Sequence, residues 1–272
     1  MQRPHQILLL FSSTPSCNGL KVRRAGYDLH REGFTLIELL AVVAIMAILA
    51  VLAIPAFTSI FGAGGLTTAS YDISGAIETA RVYAESHDTY TWLGFFEEDG
   101  NSASANPTVA GLGRIVIATV ASTDGTMIYS SATTAPYYID PTRLTQISRL
   151  IRIQNAHLKS YADGSGTGTT FATRPPLNAS GGANPRIGDT GPSTGALPFF
   201  KFPLGQSQYS FSNVLQFSPR GEVICSNMAG VMTPLIEVGL QAAHGNVITA
   251  NNQNPIALQV AGISGIITLY RQ

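Results

Sequence analysis

Glu38 has the most chemistry to account for. It is followed by a stretch, Leu39 to Phe57, with no charged residue, and no basic side chain occurs between Phe34 and Arg81. A carboxylate beside so apolar a run is costly to desolvate and is usually functional in such a place. It can stay at an interface and favour the helix N-terminus, or it can wait for a cation supplied from elsewhere. Just ahead of it stand Arg31, Glu32, Gly33, Phe34 and Thr35. Elsewhere the constellations that carry catalysis are missing. His5, His30, His87, His157 and His244 are not paired at metal-ligand spacing, and there is no HExxH, GxSxG or Walker A sequence. Gly164-Ser165-Gly166-Thr167-Gly168 is glycine-rich but lacks the strand-then-helix context of a phosphate loop. Glu97-Glu98-Asp99 could contribute calcium ligands, although a solvated hairpin tip is the plainer reading. Neither catalytic residues, nor a metal, nor a cofactor is expected, and the chain does not read as an enzyme.

These residues are positioned by a long apolar element. Phe34 to Pro55, as a helix, would be about 33 Å long at about 1.5 Å per residue, close to the hydrocarbon thickness of a bilayer. Lys21, Arg23, Arg24 and Arg31 lie on its N-terminal side, which should therefore stay in the cytoplasm with the body outside. Pro55 should kink or end the helix, and Gly62, Gly64 and Gly65 follow as a flexible spot. A second helical pattern runs from Leu66 to His87. Ile73, Ile77, Ala80 and Ala84 share one face there, with Glu78, Arg81 and Glu85 off it.

Beyond His87 short β-type runs dominate. Strands are expected at Thr89–Phe96, Arg114–Ser122, Met127–Ser130, Tyr209–Phe217, Glu222–Cys225, Leu235–Gln241, Ile256–Val260 and Gly265–Tyr270, with turns at Glu97–Gly100 and Ser218–Gly221. Asp140-Pro141 predicts a capped short helix with Leu144, Ile147 and Ile151 on its apolar face. Residues 160–198 are rich in Gly, Ser, Thr, Asn and Pro and predict a long flexible insert. The class is α+β: a leader at 1–33, an apolar helix and hinge at 34–65, and a β-rich head with an amphipathic helix at 66–272.

Charge supports this division. Charged residues make up 12% of the chain, about half the usual share for a soluble globular protein. Residues 1–33 carry five basic and two acidic side chains, and the remainder eleven and fourteen. A mildly acidic body is a poor match for nucleic acid, whose binding rests on neutralising phosphates. The two cysteines, Cys17 and Cys225, fall in leader and head; removal of the leader leaves Cys225 unpaired, as a small core residue.

The run Arg31-Glu32-Gly33-Phe34-Thr35-Leu36-Ile37-Glu38-Leu39-Leu40 resembles the type IV prepilin and type II pseudopilin signature. The resemblance covers about 25 residues, through Pro55. It implies that a prepilin peptidase of the membrane cuts between Gly33 and Phe34 and methylates the new Phe34 amine. A glycine before the cut would let the backbone extend into a narrow active site. The resemblance gives Glu38 the role of pairing with the N-terminal amine of a neighbouring subunit, and it extends to Thr35 and Pro55 as assembly positions. It implies the other pilin or pseudopilin subunits as partners and the bacterial inner membrane, then a periplasmic or surface filament, as location. The body looks like the GspH/FimT minor pseudopilins in Ala80-Arg81, Ala84 and Leu215–Gly221, and is similar also to the prepilin-type Verru_Chthon cassette protein D family. The competing expectation is an anchored or secreted binding protein or adhesin that does not assemble, with an ordinary signal peptide cut after Ala53 or Ala56.

Overall fold

The computed structural model describes residues 35–127, 139–177, 184–188, 200–206, 208–226, 232–249 and 254–272, with the side chains of 51–64 left aside. The chain divides into two units, Met1–Val51 and Leu52–Gln272.

The second unit is built on helix α1 (Leu36–Ser86), whose later part it contains. Strands β1 (Thr91–Asp99), β2 (Gly113–Ser122), β3 (Leu144–Gln146), β4 (Ile151–Gln154), β9 (Asn213–Phe217) and β10 (Val223–Cys225) form one sheet, ordered β10-β9-β1-β2-β3 with β4 also on β2. A second sheet joins β11 (Leu235–His244), β12 (Val247–Ile248), β13 (Ile256–Ala261) and β14 (Ile267–Arg271) in the order β12-β11-β13-β14. Strands β5 (Ala156–Leu158) and β6 (Arg186–Ile187) add to β11, and β7 (Phe200–Phe202) pairs with β8 (Tyr209–Phe211) as a separate hairpin.

Helical spacing decides which face of α1 is covered. Ile73, Ile77, Ala80 and Ala84 are fully buried with Leu66 and Ala69, as the 3.6-residue period requires. They pack into one core with Leu93, Phe95, Ile115, Ile117, Leu215 and Phe217 of the first sheet and Ile236, Val238, Leu258 and Val260 of the second. Strand alternation sends the intervening residues of the first sheet the other way. Trp92, Val116, Ala118, Val120 and Val214 meet Phe200, Phe202, Tyr209 and Phe211 in a second core. Gly94 is required there: a Cβ on it would lie 2.5 Å from Cγ of Phe211.

Three expectations need correction. Helix α1 does not end at Pro55 but runs on to Ser86 as one element; a proline removes one ladder hydrogen bond, and the buried face from Leu66 onward holds the helix beyond it. Asp140 does cap a turn, accepting from Thr142 N at 2.9 Å, but that turn is a single 3-10 turn, Pro141–Arg143. The residues behind it become β3 and β4 because β2 offers an unpaired edge, and Ile151 and Ile153, two apart, suit a strand facing the core. Finally, residues 160–177, the first part of the expected insert, form a hydrogen-bonded loop. Ser165, Gly166 and Gly168 donate backbone hydrogen bonds to Ala172, Arg174 and Thr173. Gly164 packs so closely on Arg174 that a Cβ would meet its backbone.

Candidate functional site

Gly33 and Phe34 lie outside the described residues, as does most of the Met127–Ser130 expectation. The described part of the site begins at Thr35. Thr35 N and Thr35 Oγ1 both donate to Glu38 Oε2 at 2.9 Å, and Glu38 N donates to Thr35 Oγ1 at 3.3 Å. This reciprocal arrangement is a capping box, which satisfies amides at the helix start that have no intrahelical partner. Both bonds to the carboxylate fall on Oε2. Glu38, four residues after Phe34, is therefore tied to Thr35, the residue next to the amine that a cut before Phe34 would create. Among the described residues no cation pairs with it.

The helix behind the box is apolar on every side. Leu36, Ile37, Leu39, Leu40, Val42 and Val43 are all at least half exposed, Leu36 at 84%, and Ile45, Met46, Ile48 and Leu49 continue the pattern. So much aliphatic surface in one run needs a cover other than water. Among the described residues, no helix is long and apolar enough to cross a membrane. Pro55 lies within α1, and its side chain is not among those described.

The acidic triplet is structural. Glu98 is buried and pairs with Arg114 at 2.8 Å, and Ser104 Oγ donates to its other oxygen at 3.0 Å. Burial alone would raise the Glu98 carboxyl, but hydrogen bonds from Tyr209, Arg114 and Ser104 outweigh it and hold the group below its ordinary value. Glu97 Oε1 lies 2.8 Å from Nδ1 of the buried His157 and accepts from Gly113 N. Asp99 receives Asn101 N and the Ser102 hydroxyl, which lower its pKa. Each carboxylate thus tethers the 100–112 loop or β5 instead of lining a solvated tip. No group of three or more His, Cys, Asp or Glu placed to hold a metal occurs among the described residues. His87 closes the helix by stacking on Tyr83 at 4.0 Å, and Cys225 is buried in the core.

Sequence reasoning missed one polar centre. Arg174 Nε and Nη2 donate to the two oxygens of Glu237 at 2.7 and 3.1 Å, and Gln259 Nε2 donates to Glu237 Oε2 at 3.0 Å. Arg174 also lies 4.3 Å from the centre of the Phe171 ring. The available signal was an arginine within a polar stretch.

With this geometry in view, comparison with known proteins gives one match. The prokaryotic N-terminal methylation motif matches residues 29–54. That motif is a prepilin-type signal, which suggests a substrate of prepilin peptidase. No curated protein and no solved structure matches the chain.

Proposed function

We propose that this chain is a structural subunit, a minor pilin or pseudopilin, cleaved between Gly33 and Phe34, methylated on Phe34, and packed by its apolar helix into a pilus-like or secretion-type filament. The observation that carries this reading is the methylation motif over residues 29–54. The uncovered aliphatic helix behind it supports the reading, because such a surface suits lipid before assembly and neighbouring helices after it. The inner membrane is the proposed waiting place, with the head outside the cytoplasm. The head is proposed as a displayed, non-catalytic domain of GspH/FimT kind. Sequencing the mature N-terminus tests the proposal. Methylated Phe34 is the expected first residue. A start near Ile54 to Phe57 would overturn it in favour of an ordinary secreted protein.

One observation favours a second reading, an anchored display protein that does not assemble. The capping box already gives the Glu38 carboxylate two local donors, so a neighbour's amine is not its sole means of satisfaction.

A further inference from the structure

The first sheet has a free edge. Strands β3 and β4 both pair with β2, and among the described residues nothing pairs with their outer side. Between them the chain bulges at residues 147–150, where Ile147 N donates to Thr119 O at 3.1 Å. A groove of about 600 Å³ opens there. Its strand wall includes Ser148, Arg149 and Arg152, and its helix wall Tyr71, Asp72 and Gly75.

Three features of this groove lack an internal explanation. Ser148 Oγ is buried without a hydrogen-bond partner among the described residues, which is unusual enough in folded proteins to point to a missing partner. Arg149 is exposed and makes no ion pair among the described residues, whereas Arg143 is held by Asp124 at 2.8 Å and Arg152 donates to the Tyr209 hydroxyl at 3.1 Å. Gly75 leaves the helix wall open, since a Cβ there would meet nothing within 4 Å. The edge is also basic. No Asp or Glu occurs in β3, β4 or the segment between them, a stretch holding Arg149 and Arg152 in a body that is otherwise net acidic.

We propose that this groove binds an extended acidic segment of another polypeptide, added as a further strand along β3–β4. Backbone hydrogen bonding to the open edge supplies affinity, as in other cases of strand addition. A guest carboxylate pairs with Arg149, and the Ser148 hydroxyl meets a polar group of the guest. Alternation along the guest strand points every second side chain toward α1. There Gly75 makes room for small side chains, while Asp72 disfavours acidic ones and so fixes which face of the guest carries charge. The site does not depend on whether the chain enters a filament. The opposing explanation is that arginines on an open edge merely discourage unwanted strand pairing.

The test uses the full chain in non-ionic detergent micelles and a fluorescent ten-residue peptide alternating glutamate and threonine, read by anisotropy. Saturable binding is expected. Arg149→Glu should weaken it at least about tenfold, since repulsion replaces attraction, and Arg149→Gln should weaken it less. Ser148→Val should weaken it by a smaller factor. The same glutamate–threonine peptide with every backbone amide N-methylated, which has no backbone donors, should bind markedly less well. Absence of saturable binding would overturn the proposal. So would equal binding by Arg149→Glu, by a lysine–threonine peptide or by the N-methylated peptide, or capture of vesicles rich in anionic lipid without capture of the acidic peptide.

Discussion

Arg174 and Glu237 face each other at 2.7 Å with each side chain only 2% exposed. The pair joins the 160–177 loop to β11. Removing one partner leaves an uncompensated buried charge, which typically costs about 3–5 kcal/mol. Arg174→Leu should therefore lower the melting temperature by roughly ten degrees. Arg174→Leu combined with Glu237→Leu should recover part of that loss. Thermal unfolding followed by circular dichroism checks both. Equal melting of wild type and Arg174→Leu would return the loop to the status of a dispensable insert.

Gly94 gives a second, steric test. Its missing Cβ is the space occupied by the Phe211 ring, 2.5 Å away. Gly94→Ala should destabilise the head by about 1–3 kcal/mol, the usual cost of overpacking. Adding Phe211→Leu should relieve some of it. Urea midpoints of the three variants would decide, and a neutral Gly94→Ala would refute the packing argument.

Acid should act through Glu98. Its carboxyl is held below the ordinary glutamate value of 4.5, so folding favours the ionised form. The stabilisation is complete above about that value and is lost as pH falls through the lower folded-state value. Glu98→Gln should flatten the acid limb of the stability curve while lowering stability at neutral pH, where Arg114 loses its counter-charge. Urea midpoints measured between neutral pH and about pH 3 give the comparison. An unchanged acid limb would assign the acid loss to other carboxylates. Asp124 and Asp140 are also lowered, the first by Arg143 foremost and the second by Thr142.

Thr35 and Glu38 allow capping to be separated from assembly. A glutamine at the third helical position still completes a capping box, but it carries no charge. Glu38→Gln should leave cleavage and membrane fractionation intact yet keep the protein out of sheared filaments. Thr35→Ala should cost the helix start about 1 kcal/mol and leave filament incorporation largely unaffected. Immunoblots of sheared and membrane fractions read both. If Glu38→Gln assembles at the wild-type level while Thr35→Ala fails, Glu38 acts through the cap alone.

Local periodicity made much of this fold legible. The face of Ile73, Ile77, Ala80 and Ala84 could be read directly and is buried as expected. Strands with several apolar residues, such as β2, β11 and β13, were readable too, and the Ser218–Gly221 turn closes with Gly221 N on Ser218 O at 2.9 Å. What could not be read depends on distant partners. Leu144, Ile147 and Ile151 fit a helix by spacing, and only the open edge of β2 makes their neighbourhood extended. Arg174 looked like loop polarity because Glu237, its partner, lies 63 residues away in sequence. Of the N-terminal site, the methylation motif over residues 29–54 was legible. The pairing of Thr35 with Glu38 is a three-residue relationship that capping rules could have supplied.

The helix that begins at the Thr35–Glu38 box is also the one whose later residues, Leu66 to Ala84, fill the core of the head. A pulling force applied at Leu66 would act first on interlocked aliphatic side chains, and would have to drag that part of the helix out of the core before either sheet unravelled. Its mechanical strength then rests on close packing against two sheets at once, and a single truncation such as Ile77→Ala should make the head yield at lower force without altering a residue on its surface.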